Sequence, residues 1–391
     1  MPKALILDAN QRSALTAVRS LGCKGVSVYT ADESNCSLAG VSRYSNKYSC
    51  YPSPSKLPAE FIEKLVDIVQ RESIEIIIPM TELTTSLVLE NKARFPSVAL
   101  PFADLSDINA VSNKCSLMRM AETLNIPIPQ TIYINKPDEL DTNLDELNYP
   151  IILKPGKSWL TNHTNQWLHT SVRLVKSASE AKKLLSDCID FQLHPFMIQE
   201  CVEGVGQGIF ALYNKGKAVA FFSHRRIREK PPWGGVSVLS ESVQINPLLL
   251  KHSQALLDKA NWHGIAMVEY KVNKDGTPYL MEINTRFWGS LQLAVDAGVD
   301  FPWLLYKLSA GIPIEAVNDY KTGIRLRWLL GDLDSLYIYM KDRNTTVFNK
   351  IKAIFRFLKP APFITRHEIN RLSDIRPFWW ELKQYIKDII K

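Results

Sequence analysis

The chain has 391 residues, 46% of them hydrophobic, which is enough apolar material for more than one buried core. The composition therefore predicts two or three subdomains. No apolar run is long enough to cross a bilayer, and the N-terminal segment KALILDAN turns acidic too soon for a signal peptide. Six cysteines are scattered without a C-x-x-C spacing, which argues against a zinc site and against a disulfide framework. These features predict a protein of the reducing cytoplasm.

The net charge of +7 is concentrated near the C-terminus. Residues 321–391 contain fifteen Lys or Arg and seven Asp or Glu, a net charge of +8, so the rest of the chain is close to neutral. A basic region of this kind can face nucleic acid, membrane lipid or an anionic substrate, and it can equally be a solvated surface. Charge alone leaves these alternatives open.

Strand and helix signals alternate through residues 1–110. Apolar strands are predicted at residues 4–7, 26–29, 74–78 and 98–100, with amphipathic helices between them. This βαβ alternation predicts a doubly wound parallel sheet. The first strand is not followed by G-x-G-x-x-G, so a dinucleotide is not indicated.

The most informative stretch is residues 264–290, GIAMVEYKVNKDGTPYLMEINTRFWGS. Two apolar strands separated by an Asn-Lys-Asp-Gly turn predict a β-hairpin. Glu269 lies in the first strand and Glu282 in the second, and Asn284 shares a face with Glu282. Three oxygen donors on one face suit Mg²⁺, which also takes phosphate oxygens from a substrate. Arg286 is placed to hold an anion beside the metal. The alternative is an exposed hairpin face with solvated charges.

The motif MEINTRFWGS, together with Glu269, resembles the metal end of the ATP-grasp fold. The likeness is to the carboxylate–amine ligase-like branch, which is related to biotin carboxylase and carbamoyl-phosphate synthase. It implies an N-terminal domain at residues 1–110 and a two-lobed ATP-grasp domain at 111–310, whose small lobe covers about residues 125–200. Residues 311–391 are expected to form a mostly helical, basic C-terminal appendage.

The resemblance also implies which residues bind ATP. Lys114, at the start of a predicted helix, resembles the first ATP-binding lysine, and Lys154, in the strand YPIILKP, resembles the lysine that meets the α-phosphate. Independently, a lysine on a buried strand needs an anion nearby unless its head reaches solvent. The run MIQECVEGVGQG resembles the hinge that receives adenine. Its implied contacts are backbone groups of Glu200, Cys201 and Val202 for adenine, and the side chain of Gln207, or else Glu203, for ribose.

Two loops complete the expected site. Residues 156–168 correspond to a lid that is usually rich in Gly and Ser, but here they keep only Gly156 and carry two tryptophans. The run HRRIREKPPWGGVSV holds five possible cations and resembles the substrate loop beside the γ-phosphate. Strand alternation places Arg226 and Arg228 on one face, and Arg226 and Lys230 are favoured for phosphate or substrate. The run ends a strand and lacks aromatic interleaving, which argues against RNA contact. A solvated basic face is the alternative.

The function implied is that of an ATP- and Mg²⁺-dependent, ADP-forming ligase that joins a carboxylate to an amine through an acyl phosphate. Its expected catalytic cations are Arg286, Arg226 and Lys230. Its expected partners are small carboxylate and amine substrates, without nucleic acid, and the sequence allows a homodimer. A second interpretation is a non-catalytic ATP-binding protein of the same fold whose basic C-terminal region docks on a membrane or nucleic acid. The Gly-poor loop favours the second interpretation, and the complete metal-ligand set opposes it.

Overall fold

The computed structural model describes residues 1–136, 143–162, 166–317, 319–359 and 364–390. Its N-terminal part is a parallel four-stranded sheet with the strand order β3-β2-β1-β4. The strands are β1 (Ala4–Ile6), β2 (Val28–Asp32), β3 (Lys47–Cys50) and β4 (Ile76–Ile78). The helices that accompany and follow them are α1 (Arg12–Cys23), α2 (Pro58–Glu72), α3 (Glu82–Glu90), α4 (Leu105–Ser112) and α5 (Lys114–Thr123).

Alternate residues of β1 contribute to two different cores. Ala4 and Ile6 share a core with the apolar face of α1, whereas Leu5 shares one with α2 and α3. Helices therefore cover both faces of the sheet, which explains why its central strands are apolar throughout. The predicted parallel α/β sheet is confirmed. The strand expected at residues 98–100 is only a single bridge between Ile76 and Ala99. The edge strand β3 escaped prediction because its sequence, KYSC, is polar and half-exposed.

A second sheet is antiparallel, with the order β5-β10-β6-β9, and has its own apolar core. A separate hairpin of β7 and β8 lies within the Gly-poor loop, of which residues 163–165 are outside the described part. The elements of this region are β5 (Thr131–Ile134), β6 (Ile151–Pro155), β7 (Trp159–Thr161), β8 (Trp167–His169), β9 (Arg173–Val175), α6 (Ala178–Asp187), α7 (Ile189–Leu193) and β10 (Phe196–Glu200).

The largest sheet has seven strands in the order β15-β14-β11-β12-β13-β16-β17. Its first part consists of β11 (Val205–Asn214), β12 (Lys217–Lys230), β13 (Val236–Ser242), α8 (Pro247–Lys259), β14 (Gly264–Val272), β15 (Pro278–Asn284), α9 (Leu291–Ala297) and α10 (Phe301–Ser309). The hairpin predicted from residues 264–290 is confirmed, because β14 and β15 pair antiparallel across the expected turn.

The C-terminal region is mainly helical, but it also supplies two strands to the large sheet. Its elements are β16 (Arg325–Arg327), α11 (Leu329–Lys341), α12 (Val347–Leu358), β17 (Thr365–His367) and α13 (Arg376–Ile390). β16 pairs antiparallel with β13, and β17 extends the sheet in parallel. Sequence patterning indicated only helices here, because strands of three residues show too little alternation to be recognised. The domain division at residue 310 stays a prediction.

Arg19 of α1 ties the C-terminal region to the first domain. Its guanidinium donates to the carboxylate of Asp374 at 2.9 Å and to three carbonyl oxygens, those of Glu368, Ile369 and Asp374. Arg19 and Asp374 are both buried. A buried ion pair of this kind is costly to break, because the remaining partner keeps an uncompensated charge away from water.

We therefore expect Arg19→Met to lower the free energy of unfolding of this part of the chain by about 3–5 kcal/mol. Thermal melting followed by circular dichroism measures the change as a fall in the midpoint. Arg71→Met is the matched control, because Arg71 pairs with Asp67 on the exposed surface and such pairs contribute little. Similar melting midpoints for the two variants would contradict the inference that Arg19 holds the C-terminal region to the first domain.

Candidate active site

A cavity of about 770 Å³ lies between the second sheet and the large sheet. Strand register explains which side chains meet there. In the β14–β15 hairpin, Glu269 stands opposite Glu282, and Met267 stands opposite Asn284. Gly208 of β11 stands opposite Glu269 on the other side of β14, so the sheet carries no side chain at this neighbouring position. The two carboxylates and the amide therefore share one wall of an open space.

Glu282 is surrounded by positive charge. The amide nitrogen of Asn284 donates to its Oε1 at 2.9 Å, and Nζ of Lys114 lies 3.6 Å from its Oε2. Burial alone raises the pKa of Glu282, but Lys114, the Asn284 amide and Lys154 outweigh burial and lower the pKa to about 2. The carboxylate is consequently ionised throughout the physiological range.

Glu269 is held by Arg226 from the neighbouring strand β12. The Nη2 of Arg226 donates to Oε2 of Glu269 at 2.6 Å, and its Nη1 donates to Oε1 of Glu229 at 3.0 Å. Burial raises the pKa of Glu269, and Arg226 opposes the rise. One guanidinium therefore bridges two carboxylates on the cavity wall.

Lys154 and Lys114 reach the site from the second sheet and from α5. Lys154 is 8% exposed and lines the cavity near the end of β6. Burial lowers its pKa to about 8, although Glu282 favours its charged form. The first turn of α5 is fixed by a hydrogen bond from the Lys114 backbone N–H to the Gly156 carbonyl at 2.7 Å. The two lysines thus flank the same carboxylate, Glu282.

The predicted hinge and Arg286 also line the cavity. Glu200, Cys201 and Val202 lie where the chain leaves β10 for β11, and Arg286 follows β15. The Val202 carbonyl accepts a hydrogen bond from Nζ of Lys271 at 3.1 Å. Lys271 is a cavity residue that the sequence analysis missed. Alternation along β14 places it on the same face as Glu269, so the signal was present.

Three predicted residues are not part of the cavity lining. Lys114 meets the site through Glu282, because its Nζ lies 3.6 Å from Oε2 of that carboxylate. Gln207 stands opposite Tyr270, on the face of the sheet opposite to Glu269, because neighbouring residues of a strand alternate between faces. Lys230 forms an ion pair with Asp334 of α11, and its Nζ lies 5.6 Å from the centre of the Trp328 ring. The cavity wall is therefore formed without Gln207 and Lys230.

The basic run at the end of β12 presents fewer cations to the cavity than its sequence indicates. His224 is buried, and burial together with Arg226 lowers its pKa to about 3, so it is neutral rather than a fifth cation. The register slips between Arg226 and Arg228, and Arg228 pairs with Asp332 of α11 at 2.6 Å. The expectation that Arg226 and Arg228 act on one face is therefore corrected by a bulge.

Arg12, the first residue of α1, reaches the cavity from the N-terminal domain. It pairs with the buried carboxylate of Glu368, and its guanidinium carbon lies 4.0 Å from the centre of the Trp328 ring. A Cβ atom on Gly289 would come within 2.8 Å of the Arg12 Nη2, so a larger residue there would require the guanidinium to shift. The contacts span more than 270 residues of sequence, and local patterning carries no signal for them.

Comparison with known proteins agrees with this arrangement. Residues 192–331 match a family model described as ATP-grasp in the biosynthetic pathway with Ter operon. The matched segment contains the predicted hinge, Arg226 and the predicted metal ligands Glu269, Glu282 and Asn284, whereas Lys114 and Lys154 precede it. A search of curated proteins found no match.

Several solved structures share the fold at low identity. A biotin carboxylase–β,γ-ATP complex from Campylobacter jejuni has a TM-score of 0.65 and 14% identity, over 83% of this chain and 74% of the other. An L-amino acid ligase from Bacillus licheniformis has a TM-score of 0.62 and 15% identity, over 83% and 78%. The biotin carboxylase domain dimer of 2-oxoglutarate carboxylase from Hydrogenobacter thermophilus, a complex with MgADP and bicarbonate, has a TM-score of 0.63 and 12% identity, over 83% and 73%.

At these identities the structural neighbours establish the fold, and the family match covers the part that carries the two carboxylates. Each neighbour aligns with 83% of this chain. The chain therefore has the fold of these proteins, and its residues 192–331 match an ATP-grasp family model.

Proposed function

We propose that this protein is an ATP- and Mg²⁺-dependent ligase that joins a carboxylate to an amine and releases ADP and phosphate. The observation that carries the proposal is that Glu269, Glu282, Asn284 and Lys154 line one cavity, and that Nζ of Lys114 lies 3.6 Å from Glu282. Lysines beside ionised carboxylates suit a polyphosphate that binds together with a metal ion. The Bacillus licheniformis protein of the same fold carries the name of such a ligase.

The donor set fits Mg²⁺. Two carboxylates and an amide supply hard oxygen ligands, and the ion commonly completes its coordination with water and substrate phosphates. Because the Asn284 nitrogen donates to Glu282, the amide oxygen is the atom that remains for a cation. Within the described ranges, no group of three or more His, Cys, Asp or Glu could hold a metal. Mg²⁺, when bound, would offset negative charge on the phosphoryl oxygens.

The nucleotide would lie between the two sheets. Lys114 and Lys154 would neutralise its phosphates, and the backbone at Glu200, Cys201 and Val202 would meet the adenine edge. Gln207 and Lys230 have no role here, because Gln207 lies on the face of the sheet opposite to Glu269 and Lys230 pairs with Asp334. Lys271 is, with Lys154, a second lysine on the cavity wall itself.

The proposed chemistry has two steps. An oxygen of the acid attacks the γ-phosphorus of ATP, the bond to the bridging oxygen breaks, and its electron pair leaves with ADP. The amine nitrogen then attacks the carbonyl carbon, expels inorganic phosphate and loses its proton to solvent. Arg286 and Arg226 are the cavity cations that would stabilise the carboxylate and the transferring phosphoryl group. Arg12 would extend this positive surface toward the first domain.

Glu282→Gln should reduce ADP formation to background at every Mg²⁺ concentration, because the variant removes a carboxylate ligand of the proposed metal site. The measurement is ADP release by purified protein in the presence of carboxylates and amines, with folding checked by thermal melting. Glu33→Gln, a change at an exposed position of the first domain, is the matched control. Activity at the level of the control would exclude Glu282 from metal binding.

Lys154→Met should weaken nucleotide binding and yet stabilise the fold. Loss of a charge-assisted contact to phosphate would reduce the free energy of ATP-analogue binding by about 1.5–3 kcal/mol, measured by calorimetry. The pKa of Lys154 falls from 10.5 to about 8 on folding, so the unfolded chain binds more protons between these values, and the folding penalty is largest below pH 8. The variant should therefore gain up to about 3 kcal/mol of stability at pH 7.

The gain from Lys154→Met should shrink as the pH rises from 8 toward 10.5, because the wild-type lysine then loses its proton in the folded state. Lys217→Met, at an exposed strand end, is the control and should change neither the nucleotide affinity nor the free energy of unfolding. Unaltered nucleotide affinity of Lys154→Met would remove Lys154 from the phosphate site.

The acyl phosphate is tested by trapping and by isotope transfer. With ATP and an accepted acid but no amine, excess hydroxylamine should yield a hydroxamate, because a strong nucleophile replaces the amine in the second step. Oxygen-18 in the carboxylate should appear in inorganic phosphate. Product formation with the label in AMP instead would establish adenylation and reject the phosphoryl-transfer proposal.

A further inference from the structure

Helix α12 presents an exposed apolar face. Phe348 is 73% exposed and Phe355 is 69% exposed. At 3.6 residues per turn, these two and three further exposed side chains fall within about 100° of the helix circumference. The five residues, which we call the α12 face, are Val347, Phe348, Ile351, Phe355 and Leu358. Scattered exposed hydrophobic residues are ordinary, but a continuous apolar stripe marks an interaction surface.

Positive side chains border the α12 face on one side. By the same helix geometry, Lys352, Arg356 and Lys359 occupy the adjoining sector, and α12 contains no Asp or Glu. None of these three side chains forms an ion pair with another described residue. The opposite side of the helix is anchored, because the Phe357 ring lies 4.2 Å from the guanidinium carbon of Arg327. The helix is thus held to the protein with its apolar face outward.

A cationic pocket of about 310 Å³ adjoins this face, and Leu358 belongs to both. Its charged lining residues are Arg228, Arg325, Arg327, Arg356 and Lys359, and no acidic residue lines it. Two of these arginines are satisfied by ion pairs to Asp332 and Glu241. Arg327 also pairs with Asp332 through its Nε, but its Nη2 is buried with no partner among the described residues. Arg327 thus brings to the wall of this pocket a guanidinium with one buried donor that has no partner among the described residues.

We propose that the α12 face and this pocket dock the protein on the surface of a membrane that contains anionic lipids. Amphipathic helices with aromatic and aliphatic residues on one face and Lys or Arg beside them lie in the plane of the interface. The apolar side chains enter the boundary between headgroups and acyl chains, the bordering cations meet anionic headgroups, and a headgroup phosphate enters the pocket beside Arg327.

Other occupants fit the same surface less well. A second copy of this chain would bring the cationic borders of two α12 helices together, and like charges oppose that contact. Nucleic acid would match the cations but would leave the five apolar side chains exposed to water. No helix in the described ranges is long and apolar enough to span a bilayer. The proposal does not depend on the ligase function.

Vesicle flotation of the full chain tests the proposal. The protein should float with vesicles of equal phosphatidylcholine and phosphatidylglycerol, should stay below with phosphatidylcholine alone, and should be released by high salt. Phe348→Glu combined with Phe355→Glu should lower the bound fraction at least about tenfold, because charged side chains replace the inserting ones. Lys352→Glu combined with Lys359→Glu should have the same effect. The control is Leu57→Glu combined with Leu248→Glu, two exposed leucines outside the C-terminal region, and it should bind as the wild type does.

Several outcomes would overturn the proposal. These are the absence of flotation, equal flotation with neutral vesicles, and undiminished binding by the α12-face variant with an unchanged melting midpoint. Release by inorganic phosphate, but not by chloride at equal ionic strength, would identify free phosphate rather than a lipid as the ligand. A mobility shift with double-stranded DNA in the absence of flotation would assign the surface to nucleic acid.

Discussion

The charge balance around Glu282 is the constraint on which the candidate site depends. A carboxylate taken out of water is costly unless cations and hydrogen bonds compensate for it. Lys114, Lys154 and the Asn284 amide provide this compensation, and in return Glu282 is the acid that makes the burial of two lysines tolerable. These groups come from three different elements, α5, β6 and the β14–β15 hairpin. The two sheets are therefore coupled electrostatically across the cavity. A polyphosphate with its metal ion would enter a site that already contains both positive and negative side chains.

The C-terminal region is part of this arrangement. It extends the large sheet by two strands, clamps Arg19 through Asp374, and uses Glu368 to hold Arg12 at the cavity. Asp332 and Asp334 of α11 draw Arg228 and Lys230 away from the cavity wall. Acidic residues in this otherwise basic region thus decide which cations of the β12 run face the site. In the same region, α12 exposes an apolar face to solvent. The C-terminal region therefore shapes both the wall of the cavity and a part of the protein surface.

The site residues illustrate what sequence patterning can and cannot provide. Glu269, Glu282 and Asn284 could be grouped in advance because a two-strand hairpin with a short turn fixes its own register. Lys154 was recognisable because a lysine inside an apolar strand needs an anion. Gln207 and Arg228 do not lie where the sequence predicted, for two different reasons. Gln207 lies in the long strand β11, and the pairing of that strand with its neighbours decides which of its side chains face the cavity. Arg228 follows a bulge that breaks the alternation of faces along β12. The neutral state of His224 follows from complete burial, which a polar, basic sequence context does not indicate.

The amino-acid sequence by itself determined the parallel N-terminal sheet, the metal-side hairpin and the amphipathic helices, because these rest on periodicities of two or 3.6 residues and on local turns. Only the tertiary structure decided that Arg12 lines the cavity, that Lys230 pairs with Asp334, and that β16 and β17 join the large sheet. The physical reason is that ion pairs and sheet edges are chosen among residues far apart in the chain, by packing and by charge compensation. Local patterning contains no information about which of several distant partners will satisfy a buried charge.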